Sequence, residues 1–202
     1  NTDILGALIE VISGRSFDVF LREEILEPLG MSDTHFYLPE EKKDRLVTVY
    51  SSSDNGTVER APTPGYMDNS GIFGTIGQGQ YVDGPRTSFS GGAGLLSTAT
   101  DYAKFLQMML NTGEFNGTRV LSRTTVNSMV TSHTGNLDFR AGQGFGLGFS
   151  VMQNPAVFGL PASTGEFGWG GAYHSTYWAD PKEEMIVVYL TQLIPARNID
   201  DF

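Results

Sequence analysis

Apolar side chains at Ile4, Leu5, Leu8, Ile9 and Ile12 fall at the offsets of one helix face, so Asp3 to Ile12 is expected to form an amphipathic helix. Ser13-Gly14 interrupts it. Ser16 is placed to cap a second helix in which Phe17, Phe20, Leu21 and Ile25 share a face, closed by Pro28 and Gly30. The periodicity then lapses. From Ser32 to Ser90 the chain holds Pro39, Pro62, Pro64 and Pro85 among many glycines and serines. Tyr50 to Gly56 reads as a strand entering a turn. A structureless stretch of this length is unusual in a compact domain, so short strands wrapping the surface beside a cleft are expected. Helical spacing returns at Tyr102, Phe105, Leu106, Met109 and Leu110, with Thr100 as the expected cap and Gly113 past the end. Ser122 is a second cap, before Val126, Met129 and Val130.

The last third changes period. Phe145, Leu147, Phe149 and Val151 alternate with Gly146, Gly148 and Ser150, which predicts one strand with a bulky face. Phe167 to Trp178 reads as a second strand, Asp180 to Glu183 as a turn, and Met185 to Leu193 as a third, largely buried strand. Short links between consecutive strands favour antiparallel pairing. The expected fold class is therefore α+β, an antiparallel sheet flanked by helices. The chain opens on Asn1-Thr2-Asp3 and stops in what reads as the start of a helix capped by Asn198. Both ends lead to the expectation of a piece of something longer.

Composition narrows the chemistry. The 202 residues carry 13 Lys plus Arg against 23 Asp plus Glu, a formal charge of −10. That balance argues against non-specific nucleic-acid binding, which needs clustered cations to displace counterions. There is no cysteine, so disulfides, thiolate nucleophiles and cysteine-based zinc sites are excluded. No apolar run approaches the roughly 18 residues of a membrane span. The histidines, His35, His133 and His174, form no H-x-x-x-H or H-E-x-x-H pair, and no metal site is expected. The stretches Ser90 to Gly94 and Gly142 to Gly148 fit neither phosphate-binding glycine pattern. Glu23-Glu24, Glu40-Glu41 and Glu183-Glu184 are neighbours that point in different directions and read as solvated faces. Asn55-Gly56-Thr57 and Asn116-Gly117-Thr118 match a glycosylation sequon and are equally ordinary turns. No G-x-S-x-G elbow and no S-x-x-K occurs, so the chain offers no recognisable nucleophile.

One stretch stands apart: Gly165 to Trp178, which contains Trp169-Gly170-Gly171-Ala172-Tyr173. Consecutive glycines on a strand let a ligand backbone approach an exposed edge. A large aromatic before them can wall an apolar pocket. The competing explanation is a core indole beside a glycine bulge.

The order of motifs resembles the C-terminal part of the serine beta-lactamase-like hydrolases, which include class C beta-lactamases, D-alanyl-D-alanine carboxypeptidases and family VIII esterases. Four stretches carry the likeness: DILGALIEVISGRSFDVFLREEILEPLGMSDTHF from Asp3, SGGAGLLSTATDYAKFLQMMLNTGEFNGTRVLS from Ser90, GFGLGFSV from Gly144, and GWGGAYHSTYWADPKEEMIVVYLTQ from Gly168. The resemblance implies a beta-lactamase/transpeptidase-like fold incomplete at both ends, with residues 1–202 forming the C-terminal portion of one domain. Helices are expected at 3–27 and 100–132, a long cleft-lining segment at 31–90 and antiparallel strands at 144–193.

Relatives of this kind use three motifs, S-x-x-K, a tyrosine motif and K-T-G or a variant. Only the third has a counterpart here, Trp169-Gly170-Gly171. The resemblance puts the serine, its lysine and the tyrosine upstream of Asn1, on a segment of the same protein, with Asn1 itself near the site. It implies Trp169, Gly170, Gly171 and Tyr173 as substrate-binding residues and the backbone N–H of Ala172 as an oxyanion donor, a contact typically worth ~3 kcal/mol in the transition state. Trp169 stands where relatives carry a lysine that attracts a substrate carboxylate. Losing a charged partner weakens anionic substrates by about 1.5–3 kcal/mol, so an esterase-like preference is implied. The implied reaction is acyl transfer from a small ester or amide to water, with no cofactor. The alternatives are a D-alanyl peptidase or beta-lactamase, and a binding or structural relative that keeps the fold without the chemistry.

Overall fold

The computed structural model describes residues 1–61, 82, 86, 89–135, 137 and 139–194, and the backbone alone at 66–67 and 75–76. Helix α1 spans Thr2–Ser13 and ends on Gly14, whose left-handed φ of 68° lets its amide donate to the Glu10 carbonyl. Helix α2, Phe17–Leu21, does not run on as one α-helix to Pro28. It widens into a π-helical turn at Arg22–Leu26, where the Glu27 amide reaches back to the Arg22 carbonyl. Leu26, rather than Ile25, is the residue this turn buries.

The long segment that follows contains a 3₁₀ stretch, Glu40–Arg45, and a hairpin of β1, Tyr50–Ser52, with β2, Val58–Arg60. Two-residue strands β3, Tyr66–Met67, and β4, Thr75–Ile76, pair as well. Helix α3, Ala99–Leu110, starts two residues earlier than its apolar pattern suggests. Its cap is Thr98 and not Thr100, because the Thr98 hydroxyl accepts the Asp101 amide at 3.1 Å. A small hairpin follows, β5 at Glu114–Phe115 and β6 at Thr118–Arg119. It is turned by Asn116 and Gly117, both at positive φ as that turn requires. Helix α4, Arg123–Met129, is capped by Ser122 as expected.

The main sheet has five antiparallel strands in the order Met185–Tyr189 (β11), Ser175–Asp180 (β10), Phe167–Gly171 (β9), Ser150–Met152 (β8), Gln143–Phe145 (β7). Two runs that read as single strands are hairpins. Gln143–Phe145 is β7 and Ser150–Met152 is β8, folded back through Gly146 and Gly148, so that Phe145 faces Ser150 across the ladder. Alternating glycines look the same in a pleat and in a tight return, which is why the pattern misleads. Phe167–Gly171 is β9 and Ser175–Asp180 is β10, with Gly171 paired to Ser175. The short helix α5, Pro155–Phe158, lies between β8 and β9. Strand β11 is only Met185–Tyr189, and its ends are exposed rather than buried. Beyond it, Tyr50 and Leu193 form a parallel bridge that joins the β1–β2 hairpin to this end of the fold.

Helix α3 lies across β10 and β11. Leu26, Leu29, Met31, Leu106, Met108, Met109, Phe149, Val151, Phe167 and Ala179 are buried together there. Asp101, also buried, ties the chain after α2 to this helix: it accepts the Asp33 amide at 2.7 Å and the Thr34 hydroxyl at 3.1 Å, and pairs with Lys104 at 2.8 Å. Among the described residues no helix is long and apolar enough to cross a membrane. The helix start expected at Asn198 lies outside the described residues, as does much of 62–88.

Candidate functional site

Strand β9 changes character along its length. Phe167 and Gly168 pair with β8 on one side and β10 on the other. Trp169, Gly170 and Gly171 pair with β10 alone, because β8 ends opposite Gly168 where the chain turns back through Phe149. Among the described residues, one edge of Trp169–Gly171 is therefore open.

The glycines divide in the same way. A Cβ on Gly168 would sit 2.3 Å from the Tyr177 carbonyl oxygen, so packing against β10 demands glycine there. A Cβ on Gly170 would be crowded at 3.3 Å from the Ser175 carbonyl oxygen, whereas one on Gly171 would come no nearer than 4.0 Å to any atom beyond its chain neighbours. Internal packing does not require glycine at 171, where a side chain would project into open space.

The indole of Trp169 is half-buried. Its inner side meets Phe145 edge-on at 5.0 Å between ring centroids and Phe139 at 5.7 Å. The Arg140 guanidinium sits 5.6 Å from the indole centroid and 5.4 Å from that of Phe139. The ring is thus neither sealed in the core nor free, but a wall with an aromatic backing and a cation on top. Sequence reasoning singled out Trp169 but missed Phe139 and Arg140, which lie outside any strand or motif. Phe145 was visible only as a bulky strand position.

The β9–β10 turn is held firmly. The His174 amide donates to the Gly171 carbonyl at 3.0 Å and His174 takes φ 63°, the geometry of a three-residue hairpin loop. The Thr191 hydroxyl spans the Tyr173 and His174 carbonyls at 3.1 and 2.5 Å, and the Ser175 hydroxyl donates to the Thr191 carbonyl at 3.0 Å. Ala172 lies in this exposed turn, not on the strand as expected. Among the described residues no acceptor meets its amide. Tyr173, next to it, is half-buried.

Asn1 is exposed and opens α1 without a side-chain cap bond; its carbonyl accepts the Ile4 amide at 3.1 Å. The helix start is latched to the Ser90–Gly92 loop. Asp3 accepts the Ser90 hydroxyl and the Gly92 amide, which hold its carboxyl below the usual range, and a Cβ on Gly91 would strike the Thr2 carbonyl. Among the described residues no hydrogen bond or ring contact joins Asn1 to Trp169–Tyr173. No group of three potential metal ligands occurs among them either. Tyr102 and Tyr177, 4.6 Å apart beneath the sheet, have their phenols pushed upward by burial and stay protonated; they serve packing.

Residues 1–198 match the family model described as Beta-lactamase. Protein Rv1367c of Mycobacterium tuberculosis (strain ATCC 25618 / H37Rv) is 32% identical, over 98% of this chain and 49% of its own length. Esterase EstB of Burkholderia gladioli is 26% identical, over 94% of this chain and 47% of its own. The solved structure of EstCE1, a hydrolase with promiscuous acyltransferase activity, superposes with a TM-score of 0.80 at 25% identity, covering 98% of this chain and 51% of that one. The chain spans about half the length of the relatives it matches.

Proposed function

Because the chain belongs to the Beta-lactamase family, we propose that it supplies the sheet-edge half of a serine hydrolase site acting on small esters. The observation that carries this is the edge of Trp169–Gly171, open among the described residues, leading into the Ala172 amide, which meets no acceptor among them, beside a half-buried indole. A serine hydroxyl carried by polypeptide preceding Asn1 attacks the ester carbonyl carbon. The carbonyl oxygen becomes an oxyanion, and the Ala172 N–H donates to it. The alkoxide leaves with the proton the serine gave up through its lysine and tyrosine, and water then releases the acyl group. A single such donor typically supplies about 3 kcal/mol. Gly171 leaves room for the acyl chain along the edge, Gly170 lets the strand lie close to β10, and Trp169 and Tyr173 flank the acyl chain. The relative named an esterase and the structural neighbour described as a hydrolase support ester chemistry.

The exposed apolar face of α1, with Ile4, Leu8, Val11 and Ile12, supports docking of the segment that bears the nucleophile. The test uses the full-length protein with nitrophenyl acetate. Turnover is expected, abolished by replacing the serine of an upstream S-x-x-K, and lacking in the 202-residue chain alone. Ala172→Pro removes the donor at a turn position that tolerates proline and is expected to lower kcat about 10²-fold or more. Serine-dependent turnover by the 202-residue chain, or no S-x-x-K and tyrosine before Asn1, overturns the reading.

A further inference from the structure

We propose that Arg140 is a specificity-determining residue of this site and that it selects substrates carrying a carboxylate. The inference rests on the hydrolase reading above and changes its substrate class. From the third motif alone, tryptophan in place of lysine leaves the rim without positive charge. The fold returns one from a different element. Arg140, in the loop before β7, is exposed, and its guanidinium is held over the faces of Trp169 and Phe139.

Two features set this cation apart from a surface charge. Among the described residues no hydrogen bond or ion pair holds its guanidinium, which is equally true of Arg60 and Arg123; unlike those, it is seated on two aromatic rings, and unlike Arg15, Arg45 and Arg119 it is not tied to a carboxylate. Its position is set instead by the rings, and a ring contact fixes a guanidinium without consuming the N–H donors at its edge. That fork matches a carboxylate, which can accept two parallel hydrogen bonds. Arg140 also borders an open cavity of about 330 Å³ lined by Leu137, Gln143, Gln153, Asn154 and Val157, none of which belongs to the Trp169–Tyr173 edge, so the guanidinium links that edge to the cavity. None of these lining residues is acidic, in a chain whose formal charge is −10. A local cation against an overall negative field is where an anionic group would be drawn.

The experiment compares nitrophenyl hemisuccinate with nitrophenyl butyrate on the full-length protein, wild type, Arg140→Gln and Arg140→Lys. The ratio of kcat/KM for the anionic over the neutral ester is expected to fall about tenfold or more in R140Q, mainly through KM, on the scale of one charged hydrogen bond. R140K is expected to fall between, keeping the charge and losing the fork. Raising salt should lower the ratio in wild type and leave it flat in R140Q. An unchanged ratio in R140Q, or equal loss on both esters, overturns the proposal. A second readout needs no turnover: succinate titrated into the full-length protein should shift tryptophan fluorescence saturably in wild type and far more weakly in R140Q. Equal titrations overturn the proposal even where ester turnover is normal. Failure to hydrolyse either ester, with succinate binding still lost in R140Q, sinks the hydrolase reading and leaves the anion site standing.

Discussion

Helices α1 and α3 are each twelve residues long and each carries an apolar stripe, yet they end in opposite environments. On α3, Leu106 and Met108 are 0% exposed and Met109 2%. On α1, Ile4 is 70% exposed, Ile12 76% and Val11 81%. The difference does not lie in the helices. It lies in what the rest of the chain lays against them: β10 and β11 cover α3, while α1 touches α2 and the Ser90–Gly92 loop and turns its branched side chains outward. A stripe states that a face is suited to burial; only a partner buries it.

Several measurements break or sharpen this contrast. The largest effect is expected from Leu106→Ala, which opens a cavity and should cost about 2–5 kcal/mol in urea unfolding. In the same 202-residue chain Val11→Ser should change stability by no more than about 0.5 kcal/mol. A large loss from V11S would mean that α1 is covered after all. Next comes Asp101→Ala, which strands the Asp33 amide and leaves the Thr34 hydroxyl with Ser97 alone and Lys104 with the Gly30 carbonyl alone. A loss of about 2–3 kcal/mol is expected, since the acid is buried and charge-paired.

Smaller again is Thr98→Ala. It should cost about 1 kcal/mol of stability through the lost cap, whereas Asn1→Ala, where no side-chain cap bond exists, should cost close to nothing. The smallest effect is expected from acid. His35, whose backbone pairs with Leu96 just before α3, is held below its ordinary range by burial and by the Lys42 ammonium, which donates to its Nε2 at 3.1 Å. As pH falls through the ordinary imidazole range near 6.5, the unfolded chain takes up a proton that the folded chain refuses. This contribution therefore weakens stability toward low pH. His35→Gln should flatten the urea midpoint between about pH 7 and pH 5. An equal slope in wild type and H35Q would show that the imidazole does not carry the effect.

The same division runs through the site. Trp169, Gly170 and Gly171 were legible because an aromatic followed by two glycines is unusual on a strand. That Ala172 belongs to a turn was not, since alternation cannot distinguish one long strand from two strands joined by a short loop. Thr98 was passed over for Thr100 because the apolar pattern begins later than the hydrogen bonding. Arg140 had no signal at all. Its meaning comes from a ring 29 positions further along the chain, and no local pattern encodes that encounter.

Local order was written in the chain: the spacing of apolar residues, the Ser122 cap, the Asn-Gly turn and the antiparallel sense of the strands all follow from forces acting within a few residues. The tertiary structure decided which stripe is covered, where β8 stops pairing with β9, and which cation sits on the indole. These depend on surfaces meeting across long sequence distances, where shape and burial, rather than local preference, set the outcome.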